Sequence, residues 1–181
     1  KGLMYEINEA IYNQTPFLID DQEVISLILR GQEYEKKTRG YFNPAIGKLV
    51  SLWGFHSEVP RNVMPATKDI LELVEAKPSM VNITIINNEL SSTNNIVQID
   101  MGGYAKGFAL DRAKKILEQY KIKNALINIG GNIMALGMQG NKEWIVGIQD
   151  PRNPNLMATI PLKPGWSIGT SGDYQKYFTV N

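Results

Sequence analysis

The spacing of apolar residues changes near Pro78, and that change limits what the sequence can fold into. Before it, Val24, Leu27, Ile28 and Tyr34, and again Ile70, Leu71 and Val74, recur at the spacing of one helix face. After it, Val81, Ile83 and Ile85 alternate with Asn82 and Thr84, the period-two pattern of a half-buried strand. The expectation is an α+β fold: three helices, then a mostly antiparallel sheet crossed by one helix. Local punctuation agrees. Asp20 stands three residues before Glu23, which predicts a capped helix start; Lys36 and Lys37 load its last turn and Gly40 is its left-handed stop. Asn43-Pro44 predicts the cap and first turn of a short helix ending near Trp53-Gly54, and a third helix is predicted from Pro65 to about Glu75. Asn87-Asn88 predicts a tight turn into Glu89–Ser92, and Ile96, Val97 and Ile99 a strand running to Asp100. A helix over Ala105 to Tyr120 would bury Phe108/Ala109, Arg112/Ala113, Ile116/Leu117 and Tyr120. Further strands are predicted at Ala125–Ile129, Ile133–Met138, Trp144–Gln149, Met157–Leu162 and Trp166–Thr170, with Gly- and Pro-bearing turns between them.

With 181 residues, 43% of them hydrophobic, the chain is long enough for one domain over residues 1–181 with a real core, and no repeat or linker interrupts it. Cysteine is absent, which excludes disulfides, thiolate nucleophiles, iron–sulfur clusters and cysteine zinc sites. The single histidine, His56, is too few for a histidine-rich metal site. Nineteen Lys and Arg against eighteen Asp and Glu leave a net charge of +1, so no field favours a nucleic acid partner. The longest apolar region, Ala125 to Met138, is broken by Asn128, Gly130, Gly131 and Asn132 and falls short of the ~20 residues of a membrane span. The chain starts at Lys1 without a leader, which reads as a processed or trimmed product.

The chemistry concentrates in Asp100-Met-Gly-Gly-Tyr-Ala-Lys-Gly107, where a predicted strand passes through two glycines into a helix with Lys106 in its first turn. A cation there meets the positive end of the helix dipole at a cost of roughly 0.3–1 kcal/mol, unless an anion binds both. Glycines, unpaired helix N–H groups and a lysine together describe a phosphate cradle. The same residues also fit a tight turn whose lysine points into water. Known phosphate fingerprints are not met: the glycines at 102, 103 and 107 miss G-x-G-x-x-G, and Phe108 stands where a P-loop needs lysine.

Asp100-Met-Gly-Gly-Tyr-Ala-Lys-Gly-Phe-Ala-Leu-Asp111, Ala125-Leu-Ile-Asn-Ile-Gly-Gly-Asn132, Trp144-Ile-Val-Gly-Ile-Gln-Asp-Pro151 and Thr170-Ser-Gly-Asp-Tyr-Gln-Lys-Tyr-Phe178 together resemble the ApbE family of FAD:protein FMN transferases. Gly40-Tyr-Phe-Asn-Pro-Ala45 and Leu52-Trp-Gly-Phe55 resemble that family's upstream block. The resemblance implies an ApbE-like, T-fold-related domain that takes FAD and Mg²⁺, joins FMN to a Thr or Ser hydroxyl of an acceptor flavoprotein and releases AMP outside the cytoplasm. It also implies that Tyr41, Phe42, Asn43, Asp100 and Lys106 contact FAD, and that the Gly103 carbonyl is one Mg²⁺ ligand. No catalytic residue is assigned. Asn43 stands where the family commonly has Asp. The family's first helix and strand, and a C-terminal stretch that completes its metal site, are not matched, so weak or absent transfer by this chain alone is expected.

Two other activities fit the same resemblance: a Mg²⁺-dependent FAD pyrophosphatase, and a flavin-binding or interaction module without catalysis. Tyr41 and Phe42 also read as core aromatics, Asn43 as a helix cap, Trp53 and Phe55 as core, His56 as a surface loop residue, and Ser171 with Asp173 as loop-ordering groups.

Overall fold

The computed structural model describes residues 2–56 and 63–172. Its contacts divide the chain into two compact units that follow one another at Gly103 and Tyr104.

The first unit begins with helix α1 (Leu3–Tyr12), which the apolar spacing did not reveal. Its start, Gly2, makes no side-chain cap, so nothing local announces it. Packing holds it, through buried Ile7, Ala10 and Ile11 at helical spacing. Strand β1 (Phe17–Leu18) follows, then helix α2 (Gln22–Lys37). The α2 cap is Asp21, not Asp20: its carboxylate accepts from the N–H groups of Glu23 and Val24. The buried line of α2 is Ile25, Leu27, Ile28, Gly31 and Glu35, with Val24 packed beside it.

Helix α3 (Gly47–Leu52) starts later than predicted. Asn43 Oδ1 accepts from Ala45 N–H at 2.8 Å and so caps a turn ahead of the helix, while its amide donates to Pro78 O at 2.8 Å. Helix α4 (Thr67–Glu75) has no fully buried residue; Leu71 and Val74 are exposed, and Ile70 and Leu73 carry its partly covered side.

A 3₁₀ turn (Met80–Asn82) precedes strands β2 (Ile83–Ile86) and β3 (Glu89–Ser92). The turn takes Val81 out of the predicted strand and buries Met80 instead. Asn87 and Asn88 have φ of 50° and 67°, the sign a two-residue hairpin turn requires and one asparagine tolerates. The sheet order is β1-β3-β2, all antiparallel. Residues 96–100 form no strand; a single parallel bridge joins Gln98 to Ile46. Val97 and Ile99 are nevertheless buried in the core with Ile7, Ile11, Ile28, Met80 and Leu90.

The second unit opens with helix α5 (Ala105–Gln119), which packs on strands β4 (Ala125–Ile129) and β5 (Asn132–Leu136). Only Leu110 of α5 is fully buried, while Ile116 and Tyr120 are exposed, so the covered face is turned about one position from the predicted stripe. Gly130 and Gly131, with φ of 54° and 85°, make the β4–β5 turn. Strands β6 (Trp144–Gln149), β7 (Leu156–Leu162) and β8 (Ser167–Ile168) complete the unit. Strand β8 pairs with β5, and β6 pairs with β7 across a bulge at Ile148/Gln149. Ala135, Val146 and Leu162 form the core of this unit. Helices with antiparallel ladders bear out the α+β expectation, with the strands of the described residues divided among three small sheets in place of one. No helix among the described residues is long and apolar enough to cross a membrane.

Candidate functional site

The end of the first unit is built around residues 97–100, an extended run whose backbone is satisfied without a sheet. Gln98 N–H donates to Ala45 O at 3.1 Å, Gly47 N–H to Gln98 O at 2.8 Å, and Asp100 N–H to Pro44 O at 2.8 Å. From the other direction the Asn8 amide takes both groups of Ile99: its Nδ2 donates to Ile99 O at 3.0 Å and its Oδ1 accepts from Ile99 N–H at 2.7 Å. One side chain thus imitates a neighbouring strand, and Asp100 is delivered from a fixed backbone.

Asp100 Oδ1 accepts from Gly102 N–H at 2.7 Å, closing an Asx turn over the two glycines. Its Oδ2 lies 2.8 Å from His56 Nε2. The pairing of His56 with Asp100 had no sequence signal, since 44 residues separate them. Gly103 faces the Phe42 ring closely enough that a Cβ there would lie 2.9 Å from it. Phe42 also meets Tyr34 edge to face, with ring centres 6.2 Å apart. The structure therefore brings Phe42, Asn43, Asp100 and Gly103 to one end of this unit. Tyr41 is 96% exposed, which removes the core reading for it; Phe42 is half-buried. Phe55, at 40% exposure, and half-buried Trp53 are not core residues either. His56 is exposed, as a loop residue should be, yet it has a carboxylate partner.

In the second unit Lys106 occupies the first turn of α5, and its Nζ donates to the Gly130 carbonyl at 3.0 Å. It does not simply extend into water. Gly131 N–H donates to Asn128 Oδ1 at 3.1 Å, so Asn128 orders the turn that supplies that carbonyl. Tyr104, the α5 N-cap, makes no side-chain cap, and its carbonyl accepts from Phe108 N–H at 3.2 Å to open the helix. Lys106 has one hydrogen bond shown and two further ammonium protons. Ser171 is exposed, and Asp173 lies outside the described residues. No group of three or more His, Asp or Glu among the described residues is placed to hold a metal ion.

The model of the ApbE family matches residues 2–181. The chain belongs to the ApbE family. An FAD:protein FMN transferase of Rhodobacter capsulatus is 34% identical over 177 residues, covering 98% of this chain and 34% of the relative. One of Vibrio cholerae is 30% identical over 165 residues, covering 90% of this chain and 49% of the relative. The chain thus spans a third to a half of these curated relatives' length. Among solved structures, the ApbE protein of Thermotoga maritima superposes with a TM-score of 0.86 at 30% identity, over 99% of this chain and 58% of that one. The flavin transferase ApbE of Vibrio cholerae does so with a TM-score of 0.74 at 26% identity, over 90% and 53%.

Proposed function

We propose that this chain serves FAD:protein FMN transfer, binding FAD at the segment from Asp100 to Lys106. The observation that carries the reading is the order Asp100, Gly102-Gly103, Lys106 at the entrance to α5, inside an ApbE match running from residue 2 to 181. In that reaction the hydroxyl oxygen of an acceptor Thr or Ser bonds to the FMN phosphorus. The pyrophosphate P–O bond breaks, AMP leaves with the bridging oxygen, and the hydroxyl proton is released. The protein's share is positioning and charge neutralisation, since the phosphoryl group itself exchanges bonds.

Each residue's part follows from its chemistry. Lys106 and the first-turn N–H groups of α5 oppose the diphosphate charge. A carboxylate only accepts hydrogen bonds, so Asp100 serves a hydroxyl or amino group of the nucleotide, not its phosphates. Tyr41, nearly all of its ring in solvent, offers a face for a planar ring, and Phe42 and Asn43, next to it in sequence, would contact the same nucleotide.

The Mg²⁺ implied by the family has one proposed donor here, the Gly103 carbonyl. This hard cation usually keeps one or two carboxylates, and among the described residues no group of three or more His, Asp or Glu gathers beside that carbonyl. These residues alone do not make a Mg²⁺ site.

Flavin fluorescence during FAD titration tests the reading. Saturable quenching is expected, weakened about tenfold or more by Lys106→Ala, because a charge-assisted hydrogen bond is worth about 1.5–3 kcal/mol. Unchanged retention by the variant sinks the proposed site. With an acceptor peptide added, a mass increase of the peptide marks transfer, whereas free FMN with unmodified peptide marks hydrolysis.

A further inference from the structure

We propose that His56 is a positioning residue that sets the Asp100 carboxylate for the flavin nucleotide; the inference rests on the flavin reading above and adds a residue to it. Helix α3 ends in a Schellman motif: Phe55 N–H returns to Val50 O at 3.2 Å and Gly54 N–H to Ser51 O at 2.9 Å, with Gly54 at φ 80°. That fixed end aims the next side chain, His56, at Asp100, where Nε2 stands 2.8 Å from Oδ2.

Asp100 is held from three sides. Its own N–H is bound to Pro44 O, its Oδ1 by Gly102 N–H at 2.7 Å, and its Oδ2 by His56. The first two contacts fix the backbone and one oxygen. The third stops the carboxylate from turning about its last torsion, and an imidazole N–H donated to it offsets part of a negative charge that would otherwise oppose a diphosphate ligand. Each oxygen keeps lone-pair capacity, so the clamp leaves Asp100 able to accept from a ligand. With 23% of the Asp100 side chain and 42% of the His56 side chain exposed, a ligand can reach the pair.

His56 is the only histidine, so its imidazole ¹⁵N signals need no assignment. FAD affinity of the parent chain, His56→Ala and His56→Gln is measured by flavin fluorescence, and the imidazole signals of the parent are followed as FAD is added. Loss of the donor in His56→Ala is expected to weaken FAD binding about tenfold, the effect of one hydrogen bond to a charged group. His56→Gln, which keeps an N–H donor on a side chain of similar reach, is expected to stay within about threefold of the parent. The imidazole signals of the parent should move along the same saturation curve as the fluorescence.

Failure of the parent to bind FAD defeats the flavin reading and this inference with it. Normal binding by His56→Ala, or equal losses in the Ala and Gln variants, defeats the role of His56 alone. So do imidazole signals that stay still while FAD binds.

Discussion

At the scale of single residues, two positions carry more of the first unit than their chemistry advertises. Asn8 satisfies both backbone groups of Ile99, which is 4% exposed, and water cannot easily replace it. Asn8→Ala should cost about 1–3 kcal/mol, the penalty for leaving buried polar groups unpaired, read as a lower urea midpoint at unchanged slope. An unchanged midpoint would show that the 97–100 segment does not need the amide. Gly47 has an unremarkable φ, but a Cβ there would lie 2.6 Å from the Gln98 carbonyl oxygen, a backbone atom that cannot step aside. Gly47→Ala should therefore destabilise by about 1–3 kcal/mol through forced displacement of residues 97–100. Neither requirement was legible in the sequence. An asparagine in a helix interior and a glycine at a helix start have many ordinary uses, and their partners stand 91 and 51 positions away. The same holds for His56. By contrast Asn87-Asn88 and Gly130-Gly131 were legible, because a positive φ at two successive residues is a local demand that only a few side chains meet.

At the scale of elements, the strands from Ala125 to Leu162 were legible because β4 with β5 and β6 with β7 pair as consecutive strands whose partners are close in sequence. The strand predicted over residues 96–100 was read from its apolar residues correctly and from its pairing wrongly. Val97 and Ile99 are buried, but a loop and a side chain stand where a neighbouring strand would be. Helix α2 shows how a start signal can be right in kind and displaced by one. Asp20 and Asp21 both precede Glu23, and only Asp21 has its carboxylate at the free N–H groups. Asp21→Ala should lose about 1 kcal/mol, while Asp20→Ala should remain within about 0.5 kcal/mol of the parent in the same denaturation. Equal effects would refute the assignment of the cap. The middle of α2 has a second duty. Gln32 donates to Met80 O and Ile83 O, and buried Glu35 accepts from Met80 N–H, so one helix face holds the 3₁₀ turn that feeds the hairpin.

At the scale of the whole molecule, the near balance of charge decides what kind of binding the chain can support. A net charge of +1 supplies almost no long-range attraction for the FAD diphosphate, so affinity has to come from groups in direct contact. Exposed charges more than a Debye length from a ligand, about 10 Å at 0.1 M salt, are largely screened, whereas a lysine in contact is screened less. FAD affinity of the parent should consequently fall by no more than about threefold between about 0.05 and 0.2 M NaCl, while Lys106→Ala should weaken it about tenfold at either salt concentration. Binding of FAD to the folded chain should also raise its thermal midpoint in proportion to the logarithm of ligand concentration above Kd. Mg²⁺ alone should leave that midpoint where it is, because no group of three or more carboxylates or imidazoles among the described residues gathers to receive it. A steep salt dependence would point to a diffuse basic surface in place of a local cradle, and a rise with Mg²⁺ alone would reveal donors that Asp100 and Gly103 do not supply.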